Sequence, residues 1–191
     1  MKKLITVAAA LIVSISAFAQ FQVGAGWLGS QWTYGNGSES NLANGFYAGV
    51  SYNIPIAGDI GIAPGVYYGL TFRTGKVLGF DAAKLQHHSV NIPVMVTYGM
   101  DLGPGRLFFG AGPTASIGVA YKYKDTVLGT TGDLYEDDNF GRFNLLMGIV
   151  GGYTISHIQF NFGYDWGLLD LDKTDGKRHQ NLIHAGIAFA F

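Results

Sequence analysis

Apolar and polar residues alternate strictly along eight separate stretches of the chain, the last of which ends at the final residue. In that stretch Ile183, Ile187 and Phe191 alternate with His184 and Ala190. Strict alternation is typical of a β-strand with one apolar face. The eight predicted strands cover residues 21–28, 46–54, 60–72, 89–98, 107–121, 142–153, 158–167 and 183–191.

The two faces of each predicted strand differ in kind. One face carries large apolar side chains, such as Phe160 and Phe162, and the other carries small or polar ones, such as Asn161 and Gly163. Charged residues make up only 13% of the chain, and a soluble sandwich would place charge on its water-facing side. The pattern predicts an all-β fold: an eight-stranded antiparallel transmembrane β-barrel, built as an up-and-down meander with a narrow lumen.

The connections between the predicted strands alternate between short and long. Short ones lie near residues 55–59, 101–105 and 154–156, and long ones near residues 30–44, 73–87, 122–139 and 169–179. Short periplasmic turns and long outer loops are typical of outer-membrane barrels. Because a barrel in lipid leaves no open edge, the last strand is predicted to pair with the first.

The first 19 residues have the features of a secretory signal peptide. Lys2 and Lys3 precede a short, alanine-rich apolar run, and Ala17-Phe18-Ala19 forms a small-residue cleavage pattern. The short run favours a cleaved peptide over a membrane anchor. We therefore expect a signal peptide at 1–19, a single barrel domain at 20–191 and export to the outer membrane.

Aromatic residues recur at the predicted membrane interfaces. Amphipathic rings favour the headgroup region, so aromatic side chains at both ends of the strands predict two girdles. The predicted girdle residues, all placed on the outward face, are Tyr52, Tyr98 and Tyr153 at the inner interface and Trp27, Tyr121 and Trp166 at the outer one.

The stretch SVNIPVMVTYGMDLGPGRLFFGAGPTAS, from Ser89 to Ser116, resembles the PorT-like family of small outer-membrane β-barrel proteins, as does Tyr164-Asp165-Trp166-Gly167-Leu168. The resemblance implies an eight-stranded barrel, and some relatives are tied to secretion machinery. Phe191 resembles the terminal aromatic of an outer-membrane assembly signal, which implies recognition by the assembly machinery.

Two prolines lie inside predicted strands, where each removes a backbone donor from the sheet. Pro93 and Pro113 lie at similar heights on neighbouring strands. They predict either a β-bulge or a locally opened ladder. The functional alternative is a gate in the barrel wall.

Two charges are predicted to meet inside the barrel. Arg142 and Asp165 have inward parity on adjacent strands, and a turn near residues 153–154 would place them opposite or diagonal to each other. Lone charges in a narrow lumen are costly, so a salt bridge that plugs the lumen is expected; a substrate or ion site is the alternative. Eight strands leave room for side chains or one small ligand, but not for a water-filled channel.

Catalytic, metal and nucleic-acid signals are weak. His87 and Ser89 form a His-x-Ser pair resembling that of lipid A deacylases, but this pair has inward parity and no nearby carboxylate. The chain has 12 Lys and Arg against 13 Asp and Glu and no Cys, which favours neither a nucleic-acid patch nor a disulfide framework. We therefore expect a protein that is not an enzyme and has no cofactor or metal.

The favoured function is a structural or interaction role through the extracellular loops, connected with secretion or envelope integrity. The expected partners are membrane lipids, lipopolysaccharide, the outer-membrane assembly machinery and an unidentified loop partner, and the protein is expected to be a monomer. The alternatives are a narrow pore or transporter of small solutes or lipids, and an outer-membrane enzyme that modifies lipids.

Overall fold

The computed structural model describes residues 20–35, 37–77, 80–125, 130–135, 141–172 and 177–191. The predicted signal peptide lies outside the described residues. Within them the chain forms nine strands: β1 (Gln20–Tyr34), β2 (Ala43–Ala57), β3 (Ile60–Val77), β4 (Phe80–Leu102), β5 (Gly105–Asp125), β6 (Thr131–Asp133), β7 (Phe143–Ile155), β8 (Ile158–Gly167) and β9 (Arg178–Ala190). Among these residues no helix is long and apolar enough to cross a bilayer.

Eight of these strands close into a ring. Each pairs antiparallel with its sequence neighbour, and β1 pairs with β9 from Gln22↔Ala190 to Tyr34↔Arg178. The three-residue β6 stands outside the ring and pairs only with β5. The predicted antiparallel meander, and its closure by the last strand, are therefore confirmed.

The two ends of the barrel differ. At one end three tight turns contain Gly58, Gly103 and Ser156, each with positive φ; this end, where the chain termini of the barrel also lie, is here called the short-turn end. At the opposite, long-loop end, β3 and β4 continue through most of the predicted 73–87 loop, and β5 extends to Asp125, within the predicted 122–139 loop. The prediction ended these strands too early because cross-strand pairing continues after the apolar alternation stops.

The alternation separates an outward face from a lumen face as predicted. Along β8, Phe160, Phe162 and Trp166 are exposed while Gly163 and Asp165 are buried. The other strands repeat this arrangement, with large apolar side chains exposed to the outside and Ser, Thr, Asn and Gly facing in. The molecule is therefore apolar on its surface and polar at its centre, the reverse of a soluble domain.

A β-bulge changes the facing of β5 near its long-loop end. His88 pairs with Ala120, and the next residue, Ser89, pairs with Gly118, so Val119 is an extra residue on β5. A bulge of this kind shifts the alternation by one position. As a result Tyr121 points into the lumen, and the side chains on either side of it point out.

Three prolines interrupt three neighbouring ladders along a diagonal of the wall. The regular pairing breaks for two residues at Ala63–Pro64 between β2 and β3, at Ile92–Pro93 between β3 and β4, and at Gly112–Pro113 between β4 and β5, and it resumes in the same register each time. A proline has no N–H to donate. Pro93 and Pro113 therefore mark an opened ladder and not a bulge, and Pro64, which the sequence prediction missed, extends it.

Candidate functional site

A single carboxylate lies at the polar centre of the lumen. Asp165 on β8 is 4% exposed. Thr114 on β5 donates a hydrogen bond to its Oδ1 at 3.2 Å, and Nε2 of His184 on β9 lies 3.4 Å from its Oδ2. Gly148 lies directly opposite on β7, where a Cβ atom would collide with the carboxylate. Side chains from two other strands thus contact Asp165, and a third strand leaves space for it.

The predicted salt bridge between Arg142 and Asp165 is wrong. Arg142 lies just before β7, is exposed, and holds its guanidinium 5.0 Å from the ring centre of Tyr135. The β7–β8 turn falls at Ser156, later than predicted, so the residue opposite Asp165 is Gly148. The partner found instead, His184, has inward parity on the neighbouring strand, and this parity was the sequence signal that could have identified it.

Further polar contacts surround this centre. Tyr47 on β2 donates a hydrogen bond to Oδ1 of Asn161 across the lumen at 2.9 Å. Its ring packs edge-on against Tyr67 at 5.7 Å and against His184 at 6.0 Å between ring centres. The side chains of the middle lumen are therefore held by contacts that cross from one wall to the other.

A cavity of about 140 Å³ occupies the middle of the lumen. Its apolar walls come from both sides of the barrel, and the polar centre around Asp165 lies at one side. Its lining includes Asn91, Pro93, Met95, Phe108, Thr114 and Leu182. A second cavity of about 130 Å³ continues toward the short-turn end and shares Gln22, Phe108 and Gln159 with the first.

Two layers of buried side chains fill the lumen on the long-loop side of the cavity, and together they are here called the plug. The inner layer consists of Leu28, Tyr47, Leu146 and Leu182, and the outer layer of Trp32, Tyr121, Tyr135 and Leu171. Between them Gln180 donates a hydrogen bond to Oγ of Ser30 at 2.8 Å. The void remaining between the layers is about 10 Å³, which at most holds one water molecule.

Tyr121 belongs to this plug and not to the outer aromatic girdle. It is 8% exposed and packs against His87 at 5.2 Å between ring centres. The bulge at Val119 turns Tyr121 inward, a shift that alternation counted from the middle of the strand does not reveal. The predicted position of Tyr121 on the outer surface is therefore wrong.

The other predicted surface aromatics face outward. Toward the long-loop end, Trp27 and Trp166 are exposed. Tyr98 is exposed, and Tyr52 and Tyr153 are half-buried, toward the short-turn end. Phe191 is exposed at the short-turn end, with its ring 5.9 Å from that of Phe21. The roles of these residues in a girdle, and of Phe191 in assembly, stay predictions.

The His-x-Ser pair has no catalytic geometry. His87 is buried, and its Nε2 is hydrogen-bonded to the hydroxyl of Tyr135 at 2.8 Å, while Oγ of Ser89 accepts a hydrogen bond from Asn91. Both side chains face the lumen and not the bilayer. Elsewhere in the described part of the chain, no three potential metal-ligating side chains come together.

A group of lysines stands on the outer surface of β4 and β5 near the long-loop end. Lys84 lies directly opposite Lys124, and Lys122 is the next outward residue on β5. All three are exposed, and none of them forms an ion pair with another described residue. We call these three residues the lysine patch.

Known structures share this architecture. Ail, the attachment invasion locus protein of Yersinia pestis, superposes with a TM-score of 0.53 at 11% identity, over 91% of this chain and 99% of that chain. Neisserial surface protein A superposes with a TM-score of 0.52 at 17% identity, over 90% of this chain and 97% of that chain. At these identities the likeness shows the fold alone.

The sequence comparison with protein families identifies the chain more closely. No curated protein matches its sequence. The family described as outer membrane protein beta-barrel domain matches residues 13–173, which is most of the chain. The closed ring, the apolar exterior and this match agree, and they also establish an outer-membrane location. The chain is a member of the outer membrane protein beta-barrel domain family.

Proposed function

We propose that this barrel is a closed, non-enzymatic protein of the outer membrane that acts through its long-loop end, in a structural or interaction role. The proposal rests on the plug, which closes the lumen. Its two layers fill the lumen beside the long loops, and Leu146 at its centre is 0% exposed. A barrel of eight strands filled in this way favours surface interaction over the passage of solutes.

The contacts of the plug support a fixed closure. The outer layer is tied to the wall by the hydrogen bond between His87 and Tyr135 and by the ring contact of His87 with Tyr121. Close-packed side chains of this kind leave ions no path and do not move without breaking these contacts. The pore and transporter alternatives would both require such a movement.

A conductance measurement tests the closure. The purified protein in planar bilayers is expected to give no steady current. Removing two plug side chains together, Trp32→Ala with Tyr121→Ala, is expected to produce one, whereas Phe109→Ala, on the outer surface, is the matched control and stays silent. A steady single-channel current through the unaltered protein would contradict the proposal.

We also propose that the lysine patch binds phosphate groups of lipopolysaccharide. Like charges directly opposite each other destabilise a strand pair, as Lys84 and Lys124 do here. A bound polyanion reverses this effect. The patch faces outward beyond the apolar band, at the long-loop end where the phosphates of the outer leaflet would lie.

Thermal unfolding in two kinds of vesicle tests this assignment. The melting temperature is expected to rise when lipopolysaccharide replaces phospholipid, and the rise is expected to disappear when Lys84, Lys122 and Lys124 are all changed to Ser. Lys177→Ser, in the loop after β8, serves as the control and keeps the rise. An equal rise in the triple variant would exclude the patch as the binding site.

A further inference from the structure

The interrupted part of the barrel wall lies directly beside the 140 Å³ cavity. The interrupted ladders meet around Pro93 on β4, and Pro93, Met95 and Thr114 all line the 140 Å³ cavity. In lipid an unpaired backbone group is costly, because no water is present to replace the lost partner. Three prolines in one diagonal therefore weaken the wall at a height where a cavity lies behind it.

At the β4–β5 seam the wall beside the cavity is interrupted at two neighbouring positions. On its inner side Met95 faces Gly112, which has no side chain, and on its outer side Val94 faces Pro113, which has no N–H for the Val94 carbonyl. Met95 is unbranched and has three rotatable bonds. At this point the seam therefore already lacks one ladder hydrogen bond, and a flexible side chain lies between it and the cavity.

The cavity suits an apolar guest with one polar group. Most of its polar side chains are already paired with each other, as in Thr114 with Asp165 and Tyr47 with Asn161. The exception is Asn91, which is 7% exposed and whose Oδ1 has no hydrogen-bond partner among the described residues. A buried acceptor left unpaired is costly, and a hydroxyl or amine of a ligand would satisfy it.

Entry from the long-loop end of the barrel is obstructed, because the plug fills that side of the cavity. On the short-turn side the two cavities adjoin, and the residues that line both include Phe108 and the pair Gln22 and Gln159, which is joined by a hydrogen bond 3.0 Å long from Nε2 to Oε1. Two routes therefore remain, through the wall and from the short-turn end.

We propose that the wall opens between β4 and β5 at Val94 and Met95 and admits a small amphiphile from the bilayer. Its apolar body occupies the cavity, and its one hydrogen-bond donor binds Oδ1 of Asn91. The first cavity is close in size to an engineered apolar cavity of about 150 Å³ that takes up benzene, and the second extends the space available along the barrel axis.

Photolabelling from the bilayer tests this proposal. Because the chain has no Cys, two engineered cysteines can form a single disulfide across a chosen seam. Val96→Cys with Ala111→Cys joins directly opposed outward residues beside the gap, and Val23→Cys with Phe189→Cys does the same on the opposite side of the barrel. The probe is decanol carrying a diazirine on its chain, and labelled residues are mapped by mass spectrometry.

Without a disulfide, adducts are expected on Met95 and Leu182 in the lumen as well as on lipid-facing Ile149. The disulfide at 96 and 111 is expected to abolish the lumen adducts and to leave those on Ile149, and reducing it restores them. The disulfide between β1 and β9 is expected to leave both the lumen adducts and the adducts on Ile149 unchanged. Lumen adducts that persist with the β4–β5 seam locked would show entry from an end of the barrel and overturn the proposal, as would a lumen without adducts in the unlocked protein.

Two further variants test the mechanism without a cross-link. Pro113→Val restores a donor for the Val94 carbonyl and is expected to slow labelling of the lumen. Asn91→Val removes the acceptor and is expected to weaken labelling by the alcohol but not by the matching diazirine-bearing alkane. Unchanged labelling in both variants would contradict the assigned seam and the assigned polar contact.

Discussion

The packing of the plug predicts that a substitution at Gly118, the residue of β5 that faces Tyr135, destabilises the protein. A Cβ atom on Gly118 would lie within 3.0 Å of three atoms of the Tyr135 side chain, and real Cβ atoms essentially never approach other atoms so closely. Gly118→Ala therefore displaces Tyr135 from its place in the outer layer. The displacement breaks the 2.8 Å hydrogen bond to His87.

The expected size of the effect follows from two terms. Overpacking a close-packed interior typically costs about 1–3 kcal/mol. Leaving a buried hydrogen-bonding group such as His87 without its partner also costs about 1–3 kcal/mol. Moving Tyr135 aside relieves the overpacking but leaves His87 without its hydrogen bond, so the two costs do not add in full. We expect Gly118→Ala to lower the free energy of unfolding by about 1–3 kcal/mol.

Urea unfolding of the protein in lipid vesicles, followed by tryptophan fluorescence, measures this free energy. Trp32 lies in the same layer as Tyr135 and reports on the plug directly. Gly151→Ala is the matched control, because the nearest contacts of its Cβ would be the ring of Phe109 at 3.3 Å and the backbone oxygen of Phe108 at 3.7 Å, none of them below 3.0 Å. Its expected effect is below about 0.5 kcal/mol.

A double-mutant cycle tests the reasoning itself. Tyr135→Leu removes the ring atoms that the new methyl group would strike, so adding Gly118→Ala to that variant is expected to cost almost nothing. If Gly118→Ala is equally destabilising with Tyr135 and with leucine at that position, the collision is not its cause, and the described packing of the plug is refuted.

Three further outcomes are expected. Thr114→Val removes a hydrogen bond to the buried carboxylate of Asp165 and is expected to cost about 1.5–3 kcal/mol in urea unfolding, while Thr114→Ser keeps most of it. Arg106→Gln breaks ion pairs at the short-turn end, but Arg106 is 43% exposed, so the expected loss is below about 1 kcal/mol and shrinks further at high salt. The pKa of Asp170 lies below its usual value because the backbone N–H of Arg178 donates to it, joined by a second N–H; this support for the loop is present above the usual aspartate pKa and is lost as pH falls through the lowered one. In an NMR titration, the chemical shift of the Arg178 backbone amide is expected to change as the Asp170 carboxylate gains its proton. A pH dependence of that shift that is unchanged by Asp170→Asn would exclude the contact.

Alternation along the chain was sufficient to predict the ring and the facing of most side chains. This succeeds because lipid and a narrow lumen impose opposite demands on neighbouring residues, so residues such as Phe162 and Gly163 cannot exchange faces. The pairing of the last strand with the first could also be predicted, because an unpaired strand edge is not tolerated in hydrocarbon.

The pairs inside the lumen could not be predicted in the same way, because they depend on register. The β7–β8 turn contains Ser156 with φ 54°, a conformation for which serine gives no sequence signal. Placing the turn a few residues too early assigned Arg142 to Asp165. The prolines, by contrast, carry their own signal, and Pro64 was overlooked although it breaks the same rule as Pro93 and Pro113.

The single extra residue at Val119 reverses the usual sensitivity of a strand to changes in length. Without it, the pair His88–Ala120 would follow the pair Ser89–Gly118 in an unbroken ladder. Loss of the Val119 codon would therefore remove the bulge and leave Tyr121 inside the barrel and Lys122 and Lys124 outside. Loss of two codons in the same place would instead send Tyr121 into the outer-leaflet lipids and draw both lysines inside, undoing the closure and the lysine patch together, so related chains should differ here by one residue and not by two.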